Sequence, residues 1–185
     1  MSRIIGVTGT NGAGKGEIVK YLVEQLGFMH YSVSGFIVEE IIRNGLTVDR
    51  DNMIMVGNDL RATFGPAHIV EVLHAKACED GGDSVIESLR ALAEVRRVCE
   101  LGGFIIGIDT HPRLRYERIR ARRSAKDAVS FDEFIAQERS EINPDDPTKQ
   151  DLRGALKEAD VIITNDGSFE ELYEMLDHAL TKARR

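Results

Sequence analysis

The sequence predicts an α/β domain built on a parallel sheet with helices on both faces, and three observations lead there. Short β-branched runs alternate with amphipathic stretches at helical spacing. A glycine-rich segment follows the first of those runs directly. No long linker, low-complexity tract or fixed-period repeat interrupts the 185 residues, a length that suits one domain around one substantial core.

The predicted strands come first. "RIIGVT" (Arg3 to Thr8), "DSVIES" (Asp83 to Ser88), "GFIIGIDT" (Gly103 to Thr110) and "DVIIT" (Asp160 to Thr164) are short and β-branched; the last two read as strands buried on both faces. A weaker run, "MHYSV" from Met29 to Val33, joins them as a fifth. Helices are expected at "EIVKYLVEQLG" and "LRALAEVRRVCELG", each stopped by glycine. From Gly35 to Gly82 the pattern changes: "FIVEEIIRNG", "DNMIMVGNDLRATFG" and "AHIVEVLHAKACEDG" carry apolar residues at helical spacing. Three helices between two strands predict an appendage beside the sheet.

Composition narrows the function classes. With a hydrophobic content of 42% and a formal net charge of −7, the chain has no global attraction for nucleic acid or an anionic membrane, so no partner of either kind is expected and any basic site is local. Cys78 and Cys99 form neither a CxxC nor a Cys/His pattern, which argues against a disulfide framework or a zinc site and fits a reducing cytoplasm. The opening residues reach glycines too soon for a signal-peptide core or a membrane span, so a soluble cytoplasmic protein is expected.

"GVTGTNGAGKGEI" (Gly6 to Ile18) carries the chemistry. Gly9, Gly12, Gly14 and Gly16 stand between a predicted strand and a predicted helix, the context in which such a loop wraps a phosphate with its amides and the helix N-terminus. Thr10, Asn11 and Ala13 complete the loop, and Lys15 supplies a point charge for the β- and γ-phosphates of a nucleotide. The usual pattern places Ser or Thr after the lysine; here Gly16 and Glu17 follow.

"GTNGAGKGE" resembles the loop of adenylate kinases, in which glycine follows the lysine and a threonine comes next. Gly16 matches that form, whereas Glu17 replaces the threonine, so a magnesium ion would take no hydroxyl from this loop. The segment "VIESLRALAEV" is similar to one in deoxynucleoside monophosphate kinases and archaeal nucleotide-kinase-like proteins, with Glu87, Arg90 and Glu94 in the recurring acidic, arginine and glutamate positions. Glu87 stands where aspartate is common. Read without the resemblance, Arg90 and Glu94 are an ordinary i, i+4 surface pair.

"HPRLRYERIRARRSAKDAVSFDEFIAQERSEI" (His111 to Ile142) holds six arginines between Arg113 and Arg123. It resembles the two-helix lid of dephospho-CoA and nucleoside monophosphate kinases. Arg118 and Arg122 share one helix face and are the expected stabilisers of a transferring phosphoryl group; Arg113, Arg115, Arg120 and Arg123 read as a solvated face. At the end of the last strand, Asn165, Asp166 and Gly167 are similar to the segment that packs adenine by main-chain contacts in related kinases, while Ser168 reads as a helix N-cap. On the acceptor side, Arg61 in "NDLRATFG" and Ser34 in "SVSGF" are the candidate contacts, with Arg90 shared.

The resemblance implies a three-layer P-loop NTPase fold with a five-stranded parallel sheet, an inserted helical acceptor-binding region and a helical lid. Residues 1–34, 83–112 and 155–185 would form the core, 35–82 the insertion and 113–142 the lid. It implies an ATP- and Mg2+-dependent phosphotransferase acting on a small nucleotide-like acceptor, most naturally a nucleoside or deoxynucleoside monophosphate. Asp109 and Glu87 are the carboxylates expected to reach magnesium through water. Two other readings stand beside it: a dephospho-CoA kinase-like enzyme, which needs a base that "HYSVSGF" does not supply, and a non-catalytic ATP-binding regulatory module.

Overall fold

The structure is a computed structural model that describes residues 2–121 and 129–183. Its centre is a sheet of five parallel strands: β1 (Ile4–Gly9), β2 (Met29–Ser32), β3 (Ser84–Leu89), β4 (Phe104–Asp109) and β5 (Val161–Thr164), in the order β2-β3-β1-β4-β5. The weak run is therefore a real edge strand. Helices α1 (Lys15–Leu26), α2 (Val33–Arg43), α3 (Arg50–Phe64), α4 (His68–Asp80), α5 (Leu92–Glu100), α6 (Pro112–Ala121), α7 (Phe131–Ser140), α8 (Leu152–Lys157) and α9 (Phe169–Lys182) complete the described chain.

The two-residue strand period divides the core into two layers. Ile86 and Ile105 face the layer built with α2, α4 and α5 through Ile37, Ile41, Ile69, Val95 and Val98. Their neighbours Val85 and Ile106 face the other, where α1 and α9 contribute Ile18, Leu22, Leu172 and Leu176. Burying each such aliphatic side chain is worth about 1.5–3 kcal/mol, so both sheet faces need their helical cover. The crossovers leaving β1 and β3 run in opposite directions across the sheet, and ligand sites in such sheets lie beyond the carboxyl ends of the strands at this reversal.

Two shifted boundaries bear on the site. The helix expected from Phe36 begins at Val33, because the Ser32 hydroxyl accepts from the Gly35 amide (3.0 Å) and caps it. Ser34 thus sits in a helical first turn. The helix expected from Leu89 begins at Leu92, since β3 runs on through Leu89. It does so over a bulge: Val7 pairs with Glu87 and Thr8 with Leu89, leaving Ser88 unpaired at φ 64°.

Candidate active site

The glycine loop spans the gap from the end of β1 to the start of α1. Gly14 is the N-cap of α1 and offers no side-chain cap, so the first-turn amides and the positive end of the helix are left for an anion. Gly12 adopts φ 81°, and a Cβ there would stand 2.6 Å from the Arg115 carbonyl oxygen. Gly14 adopts φ 113°, and a Cβ there would collide with Asn165 Nδ2. Gly16 has nothing within 4 Å of its would-be Cβ; its missing side chain is not a packing requirement.

Three segments grip the loop from behind. The Ala13 carbonyl accepts from Asn165 Nδ2 (2.7 Å), Thr110 Oγ1 (3.1 Å) and Arg118 Nη1 (3.5 Å). Arg118 also donates to the Asn165 carbonyl (3.0 Å) and to Thr110 Oγ1 (3.3 Å). Lys15 Nζ folds back on the Gly9 and Thr10 carbonyls at 2.7 and 2.9 Å. Asp109, at the end of β4, accepts from Thr10 Oγ1 (2.7 Å) and the Thr110 amide (2.9 Å) with its side chain half exposed.

These contacts revise several expected roles. The Asn165 side chain is buried and committed to Ala13, so it frames the loop, and Asp166 accepts from the His111 amide (2.9 Å). Ser168 caps α9 and Glu171 returns the bond, as the N-cap reading expects. The Glu17 carboxylate accepts from Tyr173 Oη of α9 at 3.4 Å, a contact with a helix and not with the phosphate cradle. Arg122 lies outside the described residues. Arg115, expected on a solvated face, is 4% exposed: it donates to the Thr110 carbonyl (2.8 Å), approaches the Asn11 carbonyl (3.4 Å) and forks onto Glu138 of α7. Arg113 and Arg120 are exposed as expected, lying over the Phe131 and Tyr116 rings.

Beside the loop lies a cavity of about 190 Å3, with Asn11 in its wall and Ser34, Ser88, Arg50, Arg61, Arg90 and Glu141 around it. Arg61 is 1% exposed; its Nε and Nη2 hold Glu94 Oε1 at 2.9 and 2.8 Å, while Nη1 has no hydrogen-bond partner among the described residues. It is a buried, half-engaged guanidinium and not the solvent-facing clamp a helical arginine suggests. The i, i+4 pair of Arg90 with Glu94 does not form. Arg90 precedes α5, its amide and that of Ala91 donate to Glu94 Oε2 (2.9 and 3.0 Å), and its guanidinium reaches Glu141 Oε2 at 2.6 Å. Arg50 and Glu141, both unanticipated, pair with each other.

Glu87 does not fit a metal role. Its carboxylate accepts from the hydroxyls of Ser32 and Ser88 and lies 3.7 Å from His30 Nε2. Burial pushes its carboxyl up, but the bonds from His30, Ser32 and Ser88 outweigh that and hold it below the usual carboxylate range. Asp109 alone of the two stands beside the loop with a free flank, which suits one contact to a hydrated ion. No cluster of three or more His, Cys, Asp or Glu side chains occurs among the described residues.

The family model described as "AAA domain" matches residues 5–143, and a UPF0200 protein of Pyrobaculum aerophilum is 30% identical over the full length of both chains. The chain belongs to the AAA-domain family and to the UPF0200 proteins. A UPF0200 protein of Thermococcus gammatolerans is also 30% identical, across 91% of this chain and 88% of its own. The fold of this UPF0200 chain is that of P-loop kinases. Shikimate kinase from Bacteroides thetaiotaomicron superposes with a TM-score of 0.56 over 95% of this chain and 98% of its own, at 18% identity. A gluconokinase from Sinorhizobium meliloti gives 0.55 over 98% and 92%, at 17% identity. Among the described residues of this AAA-domain chain, no helix is long and apolar enough to cross a membrane.

Proposed function

We propose that the protein transfers the γ-phosphoryl group of ATP to a small nucleotide-like acceptor, with a nucleoside or deoxynucleoside monophosphate as the reading the site supports best. One observation carries it: Asn11 belongs both to the glycine loop and to the wall of a cavity that holds Arg50, Arg61 and Arg90. A donor phosphate cradle and an arginine-lined pocket of small-molecule size therefore share a boundary. A passive nucleotide binder has no need of the second compartment.

In this reading the loop amides and Lys15 hold the donor phosphates, with Lys15 leaving the Gly9 and Thr10 carbonyls for the nucleotide. Magnesium, when bound, would neutralise phosphate charge, and Asp109 is the carboxylate placed to contact its water. Arg90 lines the acceptor cavity and Arg118 holds the loop at Ala13; in this reading both would swing to stabilise charge on the transferring group. An acceptor that is already a phosphate needs no general base, so positioning and charge neutralisation would carry the rate. Ser34 and Ser88 offer hydroxyls to the rest of the acceptor.

The test is turnover of ATP-Mg against a panel of nucleoside and deoxynucleoside monophosphates, with dephospho-CoA as the competing acceptor. Phosphorylation of one monophosphate is the expected result. Transfer to dephospho-CoA alone would select the other enzyme reading, and tight ATP binding with no transfer to any acceptor would overturn the proposal in favour of a regulatory module.

A further inference from the structure

Glu141 occupies an unusual position for an acidic residue. It is the C-cap of α7, the end of a helix where the dipole disfavours negative charge, and it is 4% exposed. What holds it there is the arginine pocket: Oε1 takes Arg50 and Oε2 takes Arg90. The fit is incomplete. A carboxylate has two oxygens, the pocket has three arginines, and Arg61 Nη1 is left buried without a partner. Counting charges around the cavity, Glu94 and Glu141 face three guanidinium groups.

We propose that Glu141 is an internal surrogate for the acceptor's phosphate: its carboxylate fills the anion subsite of the empty protein, and a phosphomonoester displaces it on binding. The inference rests on the cavity being the acceptor's, as proposed above. A phosphate group presents three terminal oxygens and up to two charges, so it serves Arg50, Arg90 and the unpartnered Arg61 together where the carboxylate serves two. Glu141 is tied to the remainder of the site through the backbone as well. Its carbonyl accepts from the Leu152 amide (3.3 Å), and the neighbouring Asp151 amide donates to the Arg90 carbonyl (3.0 Å). These backbone bonds keep the end of α7 beside the pocket when the carboxylate moves, so displacement requires only a side-chain rotation. The surrogate scales the apparent affinity for phosphate down to the fraction of molecules in which the pocket is open.

Calorimetric titration with inorganic phosphate at fixed ionic strength tests this. Glu141→Gln is expected to bind phosphate about tenfold more tightly than wild type, and adding Arg90→Gln should remove that gain. Because any phosphate bound at the glycine loop is common to all three proteins, the differences report the cavity alone. Equal or weaker binding by Glu141→Gln, or a gain that survives the second substitution, overturns the surrogate. Should Glu141→Gln not fold, Glu141→Asp keeps the charge on a stem too short to span both arginines; it should show a smaller gain, and no gain overturns the proposal equally. Turnover plays no part in the measurement. An absence of phosphate transfer in the panel assay therefore defeats the kinase reading without touching this result, and a failed titration with intact turnover removes only the surrogate.

Discussion

Gly14 and Asn165 meet back to back behind the glycine loop: the Asn165 amide holds the Ala13 carbonyl from the space that a side chain on residue 14 would enter. Gly14→Ala is therefore expected to destabilise the fold by about 2 kcal/mol or more, from the left-handed backbone cost together with the loss of a buried hydrogen bond. Gly16→Ser, in open space, should shift stability by less than about 0.5 kcal/mol. Denaturant unfolding of the two variants separates them; equal destabilisation would mean that the loop is held differently.

Lys15→Ala should leave the melting temperature within a few degrees of wild type, since its ammonium bonds to carbonyls of the loop itself, while phosphoryl transfer falls by about a thousandfold or more. Near-wild-type turnover of an identified acceptor would remove the loop from the reaction.

The two expectations for the arginine-rich helix now diverge. Breaking the pair of buried Arg115 with partly buried Glu138 should cost about 2–3 kcal/mol, so Arg115→Ala is expected to unfold at lower denaturant. Arg113→Ala, on the surface over Phe131, should lie within about 1 kcal/mol of wild type. Comparable effects at both positions would contradict the burial.

Arg118→Ala should lower kcat more than it raises KM for ATP, because an arginine acting on the transferring group binds most strongly in the transition state. Steady-state kinetics decide it. An increase in KM alone would reassign Arg118 to ground-state binding through its contacts with Ala13 and Asn165.

Glu87 sets a pH dependence of stability. Its folded pKa lies below the ordinary value, so its contribution is complete above that value and is lost as the pH falls through about 4 towards the folded pKa. Glu87→Gln should flatten the melting temperature over that acidic range relative to wild type. Parallel curves for the two proteins would show that His30, Ser32 and Ser88 do not stabilise the ionised carboxylate.

The sheet and loop were legible because their signals are local. β-Branched runs and glycines at fixed spacing each lie within a dozen residues, and even the edge strand at Met29–Ser32 was foreshadowed. The acceptor cavity was not, because its charges pair across long separations: Arg61 with Glu94, Arg50 and Arg90 with Glu141. An arginine in an amphipathic helix reads as surface until its partner is known. Arg115 did carry a local hint, as it shares a helix face with Ile119, which is buried. Arg50 and Glu141 carried none; each stands at a helix end, where a charged residue reads as exposed.

The unpaired Ser88 acts on everything downstream of it as a phase shift. Ile86 and Leu89 lie in the same core layer although they are three residues apart, an odd spacing that a regular strand would send to opposite faces. Closing the bulge without removing a residue would turn Leu89 away from its core layer, carrying the start of the Arg90 segment with it, whereas deleting Ser88 would restore regular alternation with Leu89 still on the face of Ile86. A substitution of Ser88 by glycine would instead keep the count and relieve the left-handed backbone. The direction in which β3 delivers Arg90 is thus encoded jointly in the bulge and in the number of residues before it, and one residue inserted between Ile86 and Ser88 would reverse it where no change of side chain does.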